Sequence, residues 1–337
     1  MIKEYKIRLI ETLKQHNMKK FHYLAAIIIS ALAFTSCLSN GENAKDEATY
    51  NYGGTACFNY VIDLETEEAN VFDGPNYKFH YDYTNGNIDI EVTNLKVAED
   101  LAQTALRLPT LPFTVDAKAG FYITRDRNIT PTNVVNNNYV FDEFDMRSNP
   151  LRTIYANGQI GTFPIYVINF TLNSRYAVTT FPVQSTYLGT SYSEEIGEQG
   201  TELFKNDSNL MAVIIDYKKL TAIVNVLHTK FGETMPDQAF VIKDLPVQLN
   251  EGGYIINPDA DTTYPIYDQS NKLIENCSVS NVSAASTLST GLTAINFNID
   301  LTGLGTKAGY EYGKYKVRTS LNYYGNSSSN NSGSGQN

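Results

Sequence analysis

Tryptophan is absent, and only three cysteines and four histidines occur in 337 residues. Without tryptophan there is no indole platform of the kind on which sugar-binding sites often stack a ligand. Outside the N-terminal segment the histidines are His80 and His228, and neither has a second histidine at metal-ligand spacing. No CxxC or HxH pattern accompanies them, so a Cys/His zinc centre finds no support. Phosphate-cradling GxxxxGK[ST] loops and GxSxG elbows are also missing, and the SGSG at 332–335 lies in a polar tail. Positive charge is scarce, with 26 Lys and Arg against 36 Asp and Glu, a net −10. An acidic surface repels nucleic-acid backbones and anionic headgroups, which sets nucleic acid aside as a partner.

What is present begins at the N-terminus. Lys19 and Lys20 precede an apolar run of 14 residues, Phe21 to Phe34, broken by His22 and Ser30. That is short of the ~20 residues that cross a bilayer core as a helix. A basic front edge, a short apolar stretch and the small Thr35 and Ser36 read as a secretory signal. The run leads directly into Cys37, with Phe34 where leucine is commonest. This Phe-Thr-Ser-Cys ending resembles the lipobox of Bacteroidetes cell-envelope lipoproteins. The resemblance implies that Cys37 is diacylated and becomes the first mature residue, a multi-chain anchor sufficient for stable membrane attachment. Residues 1–36 are then expected to be removed, with Met18 the better start because MKKFHYL opens an ordinary signal. The resemblance covers Lys19 to Cys37 and implies an outer-membrane lipoprotein, on the periplasmic face or the cell surface.

Residues 1–36 hold six of the basic and two of the acidic side chains, so the remainder carries 20 and 34, a net −14. It is rich in tyrosine and phenylalanine, 24 and 16 in the whole chain, which favours strands. Residues 38–50 are polar, and the segment 37–50 is expected as a flexible tether. Residues 325–337 contain no apolar side chain and are expected to be disordered.

An internal repeat organises the rest. Residues 82–112 overlie 216–246 without a gap at an offset of 134, with eight identities that include Asp82/Asp216, Tyr83/Tyr217, Val92/Val226 and Leu111/Leu245. GFYITRD (120–126) then matches GYIINPD (253–259), and VINFTL (167–172) resembles AINFNID (294–300). The blocks read as strands. Ile88, Ile90 and Val92 alternate with the period of a half-buried strand, and Asn85-Gly86 before them suits a tight hairpin. Two further hairpins are expected to turn at Lys118 to Gly120 and at Glu251-Gly252-Gly253. KVAEDLAQTAL (96–106) has some helical character, but Pro236 in its counterpart favours a short turn. The fold class is all-β: two tandem related β-sandwich or barrel-like domains, 51–182 and 183–324. The polar SEEIGEQGTE (193–202) is expected to belong to the boundary region.

Few residues point to chemistry. Asp142, Glu143 and Asp145 cluster, and Asn257, Asp259 and Asp261 have an Asp-x-Asp rhythm that suits calcium, though without the glycine and distal glutamate of an EF-hand. Thr262, in Asp261-Thr262-Thr263, stands in a short O-glycosylation pattern. Cys57 and Cys277 form an even pair for a disulfide, but their places in the two repeats are not equivalent, which favours two buried free thiols. No cofactor, resident metal or catalytic group is assigned. The expectation is a lipid-anchored, non-enzymatic envelope protein that binds a protein or glycan through loops or serves structurally. An adhesin or fimbrillin-like subunit and a glycan-binding accessory lipoprotein are the alternatives.

Overall fold

The computed structural model describes residues 47–323, apart from 102, 117–120, 135–138, 150–152, 157–158, 163–164, 198–202, 251–252, 258, 260, 288–290 and 308. The first half comprises β1 (Glu47–Gly53), β2 (Cys57–Asp63), β3 (Ala69–Asp73), β4 (Asn76–Asp82), β5 (Asn87–Leu95), β6 (Thr104–Arg107), β7 (Leu111–Pro112), β8 (Thr114–Asp116), β9 (Phe121–Ile129), β10 (Phe141–Asn149), β11 (Thr153–Ala156), β12 (Gln159–Thr162), β13 (Ile165–Leu172) and β14 (Tyr176–Pro182). The second comprises β15 (Gln184–Glu195), β16 (Phe204–Asp216), β17 (Thr221–Thr229), β18 (Gln238–Asn250), β19 (Gly253–Ile256), β20 (Tyr264–Tyr267), β21 (Leu273–Thr287), β22 (Gly291–Asp300), β23 (Thr306–Lys307), β24 (Tyr310–Glu311) and β25 (Lys314–Tyr323). Among the described residues the helical pieces are two 3₁₀ turns, Gly54–Ala56 and Thr302–Leu304. The chain is all-β, as its composition and periodicity predict.

The first half is a sandwich. One sheet has the order β1-β4-β5-β6 with β7 also on β5, and the other runs β3-β2-β14-β13-β10-β9-β8. Their inner faces are unusually rich in tyrosine. Tyr77 reaches across to Thr180 with a 2.8 Å hydroxyl contact, and Thr180 in turn donates to Asn59 Oδ1 at 2.8 Å. Because Thr180 spends its proton on Asn59, Tyr77 is the donor of the first bond. Tyr81 meets Ser148 in the same manner. A phenol can thus fill a core and still pair its hydroxyl on the facing sheet, which is how so many tyrosines are accommodated. Phe79 and Tyr166 stack between the sheets with ring centroids 4.5 Å apart.

The second half is a closed barrel. Its sheet follows β17-β16-β15-β25-β22-β21-β19-β18, and β18 pairs back onto β17. Eight strands therefore form an antiparallel meander in chain order, closed by β15 against β25, while β20 fills the wall between β18 and β21 beyond the end of β19, with Ile266 buried in the core. An eight-stranded barrel leaves an interior that side chains can fill or that can hold one small ligand.

The repeat is visible at the level of elements. β5 and β17 are nine residues each and begin and end 134 positions apart. Ile88, Ile90 and Val92 are buried in one, and Ala222, Val224 and Val226 in the other. The turns before them agree in their bonds: Asn85 N–H donates to Asp82 and Lys219 N–H to Asp216, at 3.0 and 3.2 Å. Residues 97–101 contain no helix, in keeping with the expected turn. The same meander thus serves an open sheet of a sandwich once and a barrel wall once. β8 pairs with β9 and β18 with β19 as expected, while Lys118 to Gly120 and Glu251-Gly252 fall outside the described residues.

Two boundaries differ from expectation. The first strand begins at Glu47, four residues inside the segment expected as tether, because Ala48 to Gly53 find partners on β4. The polar 193–202 stretch is not interdomain sequence, since β15 extends to Glu195 and β16 starts at Phe204. Its described part, Ser193 to Glu195, is the end of β15.

The halves are joined through a single residue. Val183 donates its N–H to Ala56 O at 2.9 Å in the sandwich, and its carbonyl accepts Ile215 N–H at 2.8 Å in the barrel. Phe58 stacks on Tyr217 at 4.8 Å and on Phe181 at 5.4 Å, and Phe181 meets Tyr254 edge-on at 6.0 Å. Tyr217 donates to Asp73 at 2.7 Å, and Lys218 lies 3.0 Å from the same carboxylate. Both groups hold Asp73 below the usual carboxylate value, the tyrosine hydroxyl more strongly.

Candidate functional site

The residues nominated by sequence separate once placed. Cys37 and the 325–337 tail lie outside the described residues. Cys57 opens β2 in the sandwich and Cys277 sits in β21 of the barrel; both are buried free thiols, so the disulfide option does not stand. Its failure is topological, since each cysteine is committed to the interior of a different half. Burial pushes the Cys57 thiol up to about 12, and desolvation raises Cys277 as well.

The calcium candidates do not converge. Asn257 is turned into the protein, where its amide donates to Val282 O and accepts from Tyr264, both at 2.8 Å. That consumes both ends of the side chain, and Asp259 and Asp261 remain exposed on the following turn. The Asp142, Glu143 and Asp145 cluster is likewise dispersed. Asp142 caps Ser174, Glu143 faces Arg127 at 3.2 Å, and Asp145 accepts from Arg125 at 2.7 Å. Among the described residues no three His, Cys, Asp or Glu are grouped to hold a metal ion. Thr262 is exposed in the loop before β20. His80 contacts Thr49, and His228 donates from Nδ1 to Ser208 O at 2.9 Å while Nε2 lies 3.1 Å from Asp237.

A constellation that the motifs did not indicate lies inside the barrel, toward the end remote from the sandwich. Ser191 and Ser193 share the inward face of β15 with Tyr187. Asn206 is the cross-strand partner of Ser191 on β16, and Thr319 is its partner on β25. Asn209 shares a face with the core residues Met211 and Val213, and Thr229 follows Val226 after an irregularity in the β17–β18 register. Because Leu210 pairs with His228, Asn209 and Thr229 occupy neighbouring places on the wall. Ser191, Asn209 and Thr229 have no exposed surface, and Asn206 is 7 % exposed.

Two members of this layer are satisfied: Ser193 donates to Phe231 O, and Thr319 to Ile295 O, each at 2.9 Å. The others are not. Ser191 Oγ, Asn206 Nδ2, both amide atoms of Asn209 and Thr229 Oγ1 are buried without a hydrogen-bond partner. No protein group pairs these atoms, and a buried polar atom left without any partner costs roughly 1–3 kcal/mol. Over the layer sits the β17–β18 turn. Phe231 enters the barrel there, stacked against Tyr315 at 5.7 Å and edge-on to Phe297 at 6.2 Å, and Met235 is buried beside it. In sequence these polar positions look like the solvent side of a strand. Only the barrel closure turns them inward.

No family model and no curated protein matches the chain. Among solved structures it is similar to transferrin binding protein B of serogroup B Neisseria meningitidis, with 8 % identity, a TM-score of 0.20 and coverage of 82 % of this chain and 76 % of that one. A Trp-176-Ala mutant of the protein from Haemophilus parasuis Hp5 gives 6 % identity, a TM-score of 0.19 and coverages of 84 % and 76 %. Intact Ap-TbpB, with its N and C lobes, gives 8 %, 0.19, 84 % and 81 %. At these values the likeness carries neither a superposable fold nor a ligand across to this chain.

Proposed function

We propose that the protein is a lipid-anchored, non-enzymatic binding protein of the cell envelope, held at Cys37 and engaging a protein or glycan partner through the barrel loops remote from the sandwich. The observation that supports this most directly is the polarity of residues 47–323. The chain enters on β1 at Glu47, opposite Asp82, and reaches the junction at the other end of this seven-residue strand, at Gly53, which pairs with Asn76. The barrel begins immediately beyond, and β15, β17 and β22 all end, and β16, β18 and β25 all begin, at its opposite end. A first strand that enters on one side and barrel strand ends on the other form an arrangement suited to presentation, because loops on a rigid scaffold tolerate the variation that recognition needs.

Two experiments test the reading. Palmitate-analogue labelling of cells is expected to mark the wild type and not Cys37→Ala; label retained on the variant removes the anchor. Photo-crosslinkers placed at Glu233 in the 230–237 loop and at Asn85 in the sandwich then separate the two ends in intact cells. Adducts are expected from Glu233 alone. Equal adducts from both positions, or none from Glu233, overturn loop-side binding.

A further inference from the structure

We propose that the polar layer inside the barrel is a binding site for one small uncharged hydroxylated molecule, closed in this conformation by Phe231. The inference goes beyond the anchoring and loop-side partner proposed above and depends on neither.

The donor set defines the ligand class. Ser191 and Thr229 supply hydroxyls that donate or accept, Asn206 supplies an N–H donor, and Asn209 supplies a donor and an acceptor on one rigid amide. None of the four side chains is charged, so an anion or cation placed there meets no counter-charge and pays its desolvation unaided. A neutral molecule carrying several hydroxyls meets every one of these atoms in its own terms. The surroundings fit the same class. Phe240, Phe297 and Tyr315 are buried in the adjoining core, offering apolar ring surface next to the amide and hydroxyl wall. Sugar rings present this combination, with C–H faces and a hydroxyl rim.

The closing element is the β17–β18 turn. Phe231 is held by two bonds of the turn, its carbonyl by Ser193 and its N–H by Met235 Sδ at 3.3 Å, and Met235 N–H returns to Gly232 O at 3.2 Å. The turn is anchored to the wall by side-chain contacts more than by the strand ladder, since the β17–β18 pairing is irregular between Val226 and Thr229. Withdrawal of Phe231 exposes the aromatic remainder of the core and the unpartnered layer together. A ligand hydroxyl rim then supplies partners to five side-chain atoms that no protein group pairs. Fully buried polar groups left unpaired favour the state in which something pairs them.

The test uses the full chain purified in detergent, with D-glucose, D-galactose and N-acetyl-D-glucosamine as probes in calorimetric titrations. At least one is expected to bind saturably to the wild type, and at least tenfold more weakly to Asn209→Leu and to Thr229→Val. Thr229→Val keeps the side-chain shape, so it retains the test where Asn209→Leu does not fold. Phe231→Ala is expected to speed association by removing the closure. Absence of saturable binding by all three sugars overturns the proposal. So does binding that Thr229→Val leaves unchanged, or a crystal soaked with the binding sugar that shows only ordered water between Ser191 and Asn209.

Discussion

Leu220 occupies a place where the backbone asks for glycine. Its φ is +52°, and its repeat counterpart Gly86 has φ +68°. Both carbonyls receive the same bond, Val247 N–H on Leu220 O at 2.8 Å and Phe113 N–H on Gly86 O at 2.9 Å, so the turn is fixed in each copy. A side chain in the left-handed region costs about 1–2 kcal/mol through contact of Cβ with the following carbonyl. Little packing offsets that cost, because Leu220 is 42 % exposed. Leu220→Gly is therefore expected to stabilise the protein by about 1 kcal/mol in urea denaturation, and Gly86→Leu to destabilise it by a similar amount. The space at Gly86 permits this comparison, since a Cβ there meets nothing closer than Phe113 O at 3.7 Å. The buried thiols make a second residue-scale prediction. With Cys57 raised to about 12 and Cys277 raised as well, the thiolate is scarce at pH 8. A thiol reagent is expected to find neither Cys57 nor Cys277 in the folded protein and both after denaturation; a pair that stays unreactive in denaturant without reductant would establish a disulfide.

Closure of the barrel depends on one contact between elements. β15 meets β25 from Tyr187/Tyr323 to Glu195/Tyr315, and this ladder alone joins the first and last barrel strands. At Gly189 a Cβ would stand 2.1 Å from Ser320 O, which is backbone and cannot swing away. Gly189→Ala is expected to cost about 1–3 kcal/mol and to speed amide exchange on β15 and β25 ahead of the sandwich strands. Sequence contained no sign of this requirement, because an approach between residues 189 and 320 is set by the barrel as a whole. Other features were legible for local reasons. Ile88, Ile90 and Val92 show strand periodicity within one element, and the 134-residue offset carries the same turn and bonds into both copies. What did not transfer from local signals was topology: an identical meander becomes sandwich sheet in one half and barrel wall in the other. The candidate site was hidden for the same reason. Ser191, Asn206, Asn209 and Thr229 come from three strands, and each by itself reads as a polar outward residue. Conversely, Asn257, Asp259 and Asp261 are close in sequence, yet Asn257 is drawn inward by Val282 and Tyr264.

At the scale of the molecule, the two halves are held by an aromatic contact, the backbone of Val183 and a polar tie at Asp73. The aromatic contact does not titrate in the acid range, whereas the tie does. Asp73 accepts the Tyr217 hydroxyl and faces the Lys218 ammonium, and these hold its folded value below the ordinary one. A carboxylate depressed on folding contributes stability that is present above its unfolded value, about 3.9, and that is lost as pH falls through the folded value. The junction is therefore expected to weaken below about pH 4 and to be insensitive to pH between 6 and 8. Asp73→Asn isolates the charge, since the asparagine oxygen still accepts from Tyr217 but no longer binds a proton or attracts Lys218. In urea denaturation the wild type is expected to exceed Asp73→Asn at pH 7, by a margin that narrows as pH falls toward 2.5. Because the tie is exposed, the pH 7 difference should shrink in 1 M salt, where the screening length falls to about 3 Å. A difference that persists undiminished at pH 2.5 would assign the effect of the substitution to packing, leaving the aromatic contact of Phe58, Phe181, Tyr217 and Tyr254 and the backbone bonds of Val183 to hold sandwich and barrel together.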